Sequence, residues 1–357
     1  MMRRKLLIPT TAVIVTVVAA VLIAQESGDL TIRQRVDEVI APTTVLDKDG
    51  VYVTGLKPME FRLYDNDKLQ TIKVDEIVSP VSLVVAIQAD YKVEKVLPKI
   101  QKIGTLLQNM VAGDSGEVAI ISFDHRIQKL QDFTSDPDKI TEALKKLKPG
   151  SSQAVLTDAV NEGARMLEQR PKERRRVVLL IAESLDKGSE GRAREALTRL
   201  EFANVIVYAL NMSRVYTALT AKDPPPRQDP IPPEARHVPA GMPSTPQTAA
   251  QLTGARGYGA QFVPVITEIF RGVRGVFVPN PIEIYTQYTG GKEEPFVSQS
   301  DLERATQNIG REIHNQYLIT YNPNNKSEGG LHNIRVDVTR RGLEVRTRRG
   351  YWMATVQ

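Results

Sequence analysis

The chain has 357 residues, 41% of them hydrophobic and 25% charged, so it is long enough for two domains with a substantial core. This composition excludes a wholly disordered, collagen-like or polytopic membrane protein. The lack of cysteine excludes disulfides, thiolate metal sites, a cysteine nucleophile and a lipid anchor on cysteine. Most of the formal net charge of +5 comes from Arg3, Arg4 and Lys5, so the rest of the chain gives no support to a nucleic-acid partner.

Residues 1–24 have the pattern of an export segment. The basic cluster is followed by an uncharged apolar run of 19 residues, from Leu6 to Ala24, and then by polar residues. The run is longer than the ~7–15 residues of a cleavable signal core and close to the ~20 that span a bilayer, so a signal peptide and a membrane anchor both remain open. Because the positive end stays inside the cell, everything from about Gln25 onward is predicted to be extracytoplasmic.

Residues 25–79 are predicted to form a β-rich lead module. Alternating segments flank the turn Asp47–Gly50, and a second pair, Phe61–Tyr64 and Leu69–Val74, flanks residues 65–67. Both patterns indicate hairpins.

Residues 80–316 change character, because apolar runs of strand length alternate there with helical periods. This alternation predicts an α/β fold with a doubly wound, mostly parallel sheet and helices on both faces. Strands are predicted at 82–87, 117–123, 177–182 and 205–210, and helices at 93–110, 138–147, 154–167 and 189–200. Further helical periods occur near 265–273 and from Ser300, where Ser300–Glu303 has the form of a capping box.

A proline-rich insertion, residues 212–260, interrupts this domain. The stretch 223–246 contains nine of the 22 prolines and is predicted to be a loop, either functional or merely connecting.

Residues 317–357 are predicted to form a C-terminal β tail that packs on the lead module. Strands are expected at 317–321, 334–338 and 343–346, the last two as a hairpin through Arg341-Gly342 with solvated outward arginines. Neither the lead nor the tail has a full set of partners nearby, and isolated hairpins are marginal in water. The two chain ends are therefore expected to share one smaller β-rich module.

Short motifs recur in a fixed order along the exported part of the chain. They are Asp47-Lys48-Asp49-Gly50, Gly55-Leu56, Met59-Glu60-Phe61, Tyr64-Asp65 through Gln70-Thr71-Ile72, Phe133-Thr134 with Asp136, Thr289-Gly290-Gly291, Tyr317 with Tyr321 and Pro323, and Arg348 with Gly350-Tyr351. In order and spacing they resemble the von Willebrand factor A-related (VWFA-related) exported proteins of acidobacteria. The resemblance implies a von Willebrand A-type domain between the lead and the tail.

Such domains often carry a metal-ion-dependent adhesion site, in which an Asp and two Ser follow the first strand and a Thr and an Asp come from two further loops. These hard oxygen ligands suit magnesium, which demands a near-octahedral array. The resemblance puts Gln88, Asp90 and Lys92 in the first loop, Gln153 where Thr is expected, Asp158 nearby, and Glu183 in place of the last Asp. A lysine ammonium repels a cation, so we expect a degenerate site with no divalent cation and no other cofactor.

One hypothesis is that the Lys92 ammonium replaces the missing metal by bonding to Glu183 and Asp158; in the alternative, Lys92 only extends into solvent. The six residues are expected to form a binding edge at the carboxyl end of the parallel sheet.

Other chemistry has little support in the sequence. Ser184 lacks the glycines of a nucleophile elbow, and no phosphate-binding loop follows a strand. The histidines show no paired spacing and are predicted to be surface or loop residues: His125, His237, His314 and His332. We therefore expect a non-catalytic module that binds a protein partner or mediates adhesion, with a hydrolase using the acidic cluster, or a structural envelope component, as alternatives.

Overall fold

The computed structural model describes residues 38–75, 80–111, 115–151, 153–184, 186, 189, 193–212 and 280–353. The predicted export segment, the proline-rich stretch 223–246 and the helix predicted near 265–273 lie outside the described residues.

Strands from the lead, the middle and the tail of the chain build three sheets. The lead contributes β1 (Val39–Leu46), β2 (Phe61–Asp65), β3 (Lys68–Leu69) and β4 (Ile72–Asp75). The middle contributes β5 (Val81–Gln88), β6 (Glu117–Phe123), β7 (Ile127–Thr134), β8 (Arg175–Ala182), β9 (Val205–Met212) and β10 (Glu293–Phe296). The tail contributes β11 (Tyr317–Tyr321), β12 (Gly330–Val338), β13 (Glu344–Thr347) and β14 (Gly350–Met353).

The helices of the described residues all belong to the middle of the chain. They are α1 (Leu97–Ile100), α2 (Gly104–Met110), α3 (Pro137–Lys145), α4 (Leu156–Glu168), α5 (Ala193–Phe202), α6 (Pro281–Thr289) and α7 (Gln299–Asn315). None of them is long and apolar enough to cross a membrane.

The central sheet has the order β10-β9-β8-β5-β6-β7 and is parallel except for β7, which runs antiparallel to β6. Every residue of β5 and β8 is buried, because helices cover both faces of the sheet. Residues such as Leu83 pack toward α1, α2, α3 and α7, and residues such as Val84 pack toward α4, α5 and α6. The predicted doubly wound, mostly parallel α/β fold is confirmed.

Helix α4 shows how the sequence fits this layer arrangement. Its buried residues recur at intervals of three and four, and Gly163 lies against the sheet, where an added Cβ would come within 3.2 Å of Val178. Each fully buried Leu, Ile or Val contributes about 1.5–3 kcal/mol to stability. Packing of its apolar face against the sheet therefore stabilises the position of helix α4.

The two remaining sheets both combine lead and tail strands. One has the order β13-β1-β11-β4, and the other β14-β12-β2-β3. In the first, Ala41 lies opposite Ile319, and in the second, Leu63 lies opposite Val336. These side chains share one hydrophobic core. The division of the chain at residues 79 and 316 stays a prediction.

One predicted hairpin is wrong in its pairing, and another is correct only next to its turn. Strand β12 pairs with β2 and β14, whereas β13 pairs with β1 in the other sheet, so the turn at Arg341-Gly342 carries the chain between sheets. In the lead, β3 pairs with β2 as the predicted hairpin requires, but β4 pairs with β11. Gln70 separates β3 from β4: its backbone N–H donates to Leu63 O at 2.9 Å and its side chain contacts Asn324.

The expectation that His332 lies on the surface is wrong. His332 is fully buried, and its Nδ1 lies 2.6 Å from Asp65 Oδ1. The hydroxyls of Tyr321 and Tyr351 both donate to Asp65 Oδ2 at 2.8 Å. Burial raises the pKa of Asp65, but the hydrogen bonds outweigh burial and leave this pKa below its ordinary value. The cluster is a buried polar centre inside the module formed by the chain ends, in which His332 Nε2 has no hydrogen-bond partner among the described residues.

Three further expectations need correction. The predicted helix 93–110 is broken into a 3-10 turn, α1 and α2, and Pro98 stands in the first turn of α1. The capping box of α7 is formed by Ser298 and Asp301 rather than by Ser300. Arg346 is not on a solvated face, because it bonds to buried Glu312 of α7, whereas Arg335 is exposed as predicted.

Candidate functional site

The candidate site lies where β5 and β8, adjacent parallel strands, end side by side. The chain leaves β5 toward α1 on one face of the sheet and leaves β8 toward α5 on the other face. A crevice at such a switch point is where open α/β sheets bind ligands. We call the region around Gln88, Asp90 and Glu183 the carboxyl-end crevice.

The Gln88 side chain bridges the two loops of this crevice. The Glu183 backbone N–H donates to Gln88 Oε1 at 2.8 Å, and Gln88 Nε2 donates to Asp90 Oδ1 at 3.2 Å. Because a backbone N–H can only donate, the amide oxygen must face Glu183 and the NH2 group must face Asp90. With 1% of its surface exposed, Gln88 is a buried cross-link between the loops.

Asp90 is a buried carboxyl group in this network. Burial raises its pKa, the hydrogen bond from Gln88 opposes that change, and the negative charge of Glu183 adds to it. The positive charge of Lys92 acts in the opposite direction, with the net result that the pKa of Asp90 is above its ordinary value. The crevice therefore contains a carboxyl group that takes up a proton more readily than an exposed aspartate.

Lys92 is half-buried in the turn Tyr91–Val93 and makes no ion pair or hydrogen bond with the described residues. It acts on Asp90 only through its charge. The expected bonds from its ammonium to Glu183 and Asp158 are not formed.

The second loop approaches the crevice from the start of α4. Gln153 is exposed on this loop, and Asp158 is half-buried in the first turn of the helix. The Thr157 backbone N–H donates to Asp186 Oδ2 at 2.8 Å, so Asp186 from the loop after β8 stabilises the start of α4. Of the six predicted residues, Gln88, Asp90 and Glu183 are joined directly.

Asp124, directly after β6, was missed by the sequence reasoning. Its Oδ2 accepts the Ser151 backbone N–H at 2.9 Å, and its Oδ1 accepts the Arg126 backbone N–H at 3.0 Å. Gly150 lies so close that an added Cβ would come within 2.1 Å of Asp124 Oδ2. Asp124 thus organises the loop that carries Gln153. The available signal was a carboxylate immediately after a buried strand.

Ser151, His125 and Asp124 lie together without forming a catalytic relay. Ser151 Oγ lies 2.7 Å from His125 Nδ1, and Asp124 Oδ2 lies 3.1 Å from the same nitrogen. A serine hydrolase uses one ring nitrogen for the serine and the other for the carboxylate. The arrangement does not support that chemistry. Within the described residues, no group of three or more Asp, Glu or His side chains is arranged to hold a metal ion.

The sequence was compared with models of known protein families. Residues 89–184 match the family model of the von Willebrand factor type A domain. The match and the strand order together define a von Willebrand A-type fold, and they support the predicted relation to VWFA-related proteins. An origin in acidobacteria stays a prediction. The comparison with curated proteins found no match.

Several solved structures resemble the chain. An aerotolerance-related membrane protein from Bacteroides fragilis NCTC 9343, solved with multiple mutations to serines, is 16% identical, with a TM-score of 0.40, covering 65% of this chain and 98% of its own. The conserved hypothetical protein BatB from Bacteroides thetaiotaomicron is 13% identical, with a TM-score of 0.38 and coverages of 65% and 99%. The vWF domain of the type V pili tip protein Mfa5 from Porphyromonas gingivalis is 17% identical, with a TM-score of 0.27 and coverages of 31% and 40%.

Proposed function

We propose that this protein is an exported, non-catalytic binding module of the von Willebrand A type, whose protein partner docks on the carboxyl-end crevice. The observation that carries the proposal is the bridge made by Gln88 between Asp90 and the backbone of Glu183. It joins two loops at the position where sheets of this kind bind ligands.

The same bridge supports a degenerate adhesion site. Magnesium needs several free oxygen ligands in a strict geometry. Gln88 Oε1 already accepts a hydrogen bond, and Gln88 Nε2 directs its N–H toward Asp90. Lys92 adds a positive charge that acts on Asp90. We therefore propose that the crevice works without a divalent cation.

A binding role also agrees better with the side chains than hydrolysis does. The histidine nearest to a serine, His125, meets Ser151 and Asp124 through one nitrogen, so it cannot relay a proton between them. Asp90 is covered and Gln153 is exposed, which suits a contact surface. The partner is proposed to be a protein, not a nucleic acid, and the N-terminal segment is proposed to hold the chain at the membrane or to direct its secretion.

Site-directed crosslinking tests the docking site. A photo-reactive amino acid replaces Gln153 in the full-length protein, and a matched control carries it at Arg341, an exposed turn position between β12 and β13. In cells of the source organism, we expect the Gln153 variant to capture a discrete protein and the Arg341 variant not to. Equal capture at both positions, or capture only at Arg341, would contradict the proposal.

A further inference from the structure

A second cavity lies at the opposite end of the central sheet from the carboxyl-end crevice. It has a volume of about 510 Å³, within the roughly 300–1,000 Å³ of small-molecule pockets. Its walls come from the start of β8, the end of α5, and strands β1, β4 and β11 of the module formed by the chain ends. At about 3.3 Å per residue, β8 separates the two regions by roughly 25 Å. We call it the amino-end cavity.

Two neighbouring arginines of β8, Arg175 and Arg176, line this cavity, and both are more than nine-tenths buried. Arg175 donates to Ile313 O and to Gln316 Oε1, and Arg176 donates to Ala203 O at 2.8 Å and to Arg170 O at 2.5 Å. Among the described residues, neither guanidinium has a carboxylate within ion-pair distance. The Nε atom of each is buried without a hydrogen-bond acceptor.

A third buried arginine, Arg348, enters the cavity wall from the segment between β13 and β14. It is 5% exposed and donates to Ile40 O and Gly350 O, each at 3.1 Å. Its Nη2 lies 3.3 Å from Glu201 Oε1, but this atom too has no hydrogen-bond acceptor. Each of the three guanidinium groups therefore has one nitrogen without an acceptor, and because these nitrogens are sealed from solvent, a ligand in the cavity would interact with the positive charge of the groups.

The charge of the lining is divided between an exposed rim and a buried floor. At the rim, the exposed Lys73 and Lys172 are balanced by acidic residues that are also exposed: Glu38, Asp75 and Glu173. The less exposed floor has three buried arginines, the half-buried Arg174 and a single carboxylate, that of the half-buried Glu201. Burial of an uncompensated guanidinium is costly, and an anion that binds beside it offsets that cost.

From these observations we propose that the amino-end cavity is a binding site for a small organic anion that carries carboxylate or phosphate groups. Planar guanidinium groups match such oxyanions in charge and geometry. The cavity is too large for a single inorganic ion and fits a molecule with several oxyanion groups. The proposal does not depend on the partner proposed for the carboxyl-end crevice.

Titration of the full-length protein with two probes, citrate and inorganic pyrophosphate, tests this site at constant ionic strength. We expect a rise of a few degrees in Tm at 10 mM probe, because a ligand that binds only the folded state stabilises it. A larger response to citrate identifies a carboxylate ligand, and a larger response to pyrophosphate identifies a phosphate ligand.

Three variants distinguish this site from general charge screening. Arg176→Met keeps the side-chain length without the charge and should weaken binding by about tenfold or more in calorimetry. The paired change Lys73→Ala with Lys172→Ala alters only exposed residues and should weaken binding severalfold, so it decides the question if Arg176→Met does not fold. The matched control, Lys146→Ala with Lys148→Ala, changes exposed lysines outside the cavity and should bind as the unchanged protein does.

Two results would overturn the proposal. One is no change in Tm and no heat of binding with either probe at 10 mM. The other is equal binding by the unchanged protein, the cavity variants and the control.

Discussion

The carboxyl-end crevice and the amino-end cavity both bury polar groups, yet they satisfy them differently. In the crevice, one amide satisfies a carboxyl group and a backbone N–H, so the polar groups are paired within the chain. In the cavity, three arginines bond mainly to carbonyl oxygens, and each keeps a nitrogen without an acceptor. The first region therefore has its polar groups bonded to one another across two loops. The second contains buried guanidinium groups whose hydrogen bonding is incomplete.

Both regions also contain a carboxyl group with a raised pKa. In the cavity, burial is the dominant cause at Glu201 and raises its pKa to about 7, against the opposing effects of Arg348 and of the Trp352 N–H. In the crevice, the pKa of Asp90 is raised with Gln88 and Lys92 opposing. The amino end of the sheet thus contains a carboxyl group that titrates near neutrality.

Glu201→Gln is expected to give the largest effect. The folded state holds the Glu201 proton more tightly than the unfolded chain, whose glutamate pKa is about 4.3, so the free energy of unfolding falls as pH rises from there to about 7. At 1.36 kcal/mol per pKa unit, this fall is about 4 kcal/mol. Glu201→Gln should abolish it, as measured by urea unfolding at a series of pH values.

The control for this prediction is Glu195→Gln, an exposed position on the same helix. It should keep the pH dependence of the unchanged protein. If Glu201→Gln and Glu195→Gln have the same pH profile, Glu201 is not the group responsible.

Gln88→Ala tests whether the hydrogen bonds of Gln88 stabilise the crevice. It leaves the buried Glu183 N–H and the Asp90 carboxyl without their partner, which costs about 1–3 kcal/mol of unfolding free energy. Gln153→Ala, on an exposed side chain of the neighbouring loop, should change stability by less than about 0.5 kcal/mol. Chemical denaturation measures both, and equal effects would mean that the bridge does not hold the loops.

The central sheet could be predicted because its strands, such as β5, are apolar along their whole length and alternate with helical periods. Gln88 and Glu183 could be assigned to one end of the sheet because each ends or directly follows such a strand. Their hydrogen bond could not be predicted, since it joins residues 95 positions apart. The burial of His332 could not be predicted for the same reason, because its partner Asp65 is 267 positions away.

The pairing of strands in the module formed by the chain ends was still harder to predict from the sequence. Alternation in β12 and β13 identifies each as a strand but does not specify its neighbour, so the turn between them suggested a hairpin. The helix cap at Ser298 was missed because two serines have an acidic residue three positions later: Asp301 follows Ser298, and Glu303 follows Ser300. Only packing decides which serine caps the helix. Local patterns therefore predicted the elements, and contacts distant in sequence decided their arrangement.

The smallest expected effect comes from converting the crevice into an ion-dependent site. In Gln88→Asp with Lys92→Ser and Gln153→Thr, the bridging amide and the lysine charge are replaced by oxygen ligands, beside Asp90 and Glu183. We expect 10 mM magnesium to stabilise this variant by about 1 kcal/mol, which corresponds to a Kd near ~2 mM. Because Gln88 Oε1 and Asp90 are already hydrogen-bonded in the unchanged protein, we expect magnesium to cause no shift in its stability.

Thermal unfolding with and without magnesium measures the stability of both proteins. The single variant Lys92→Ser is the control that removes the charge but keeps the bridge. A magnesium-dependent shift in the unchanged protein would show that the crevice binds the metal despite its satisfied polar groups, and the contrast between the two ends of the sheet would then fail.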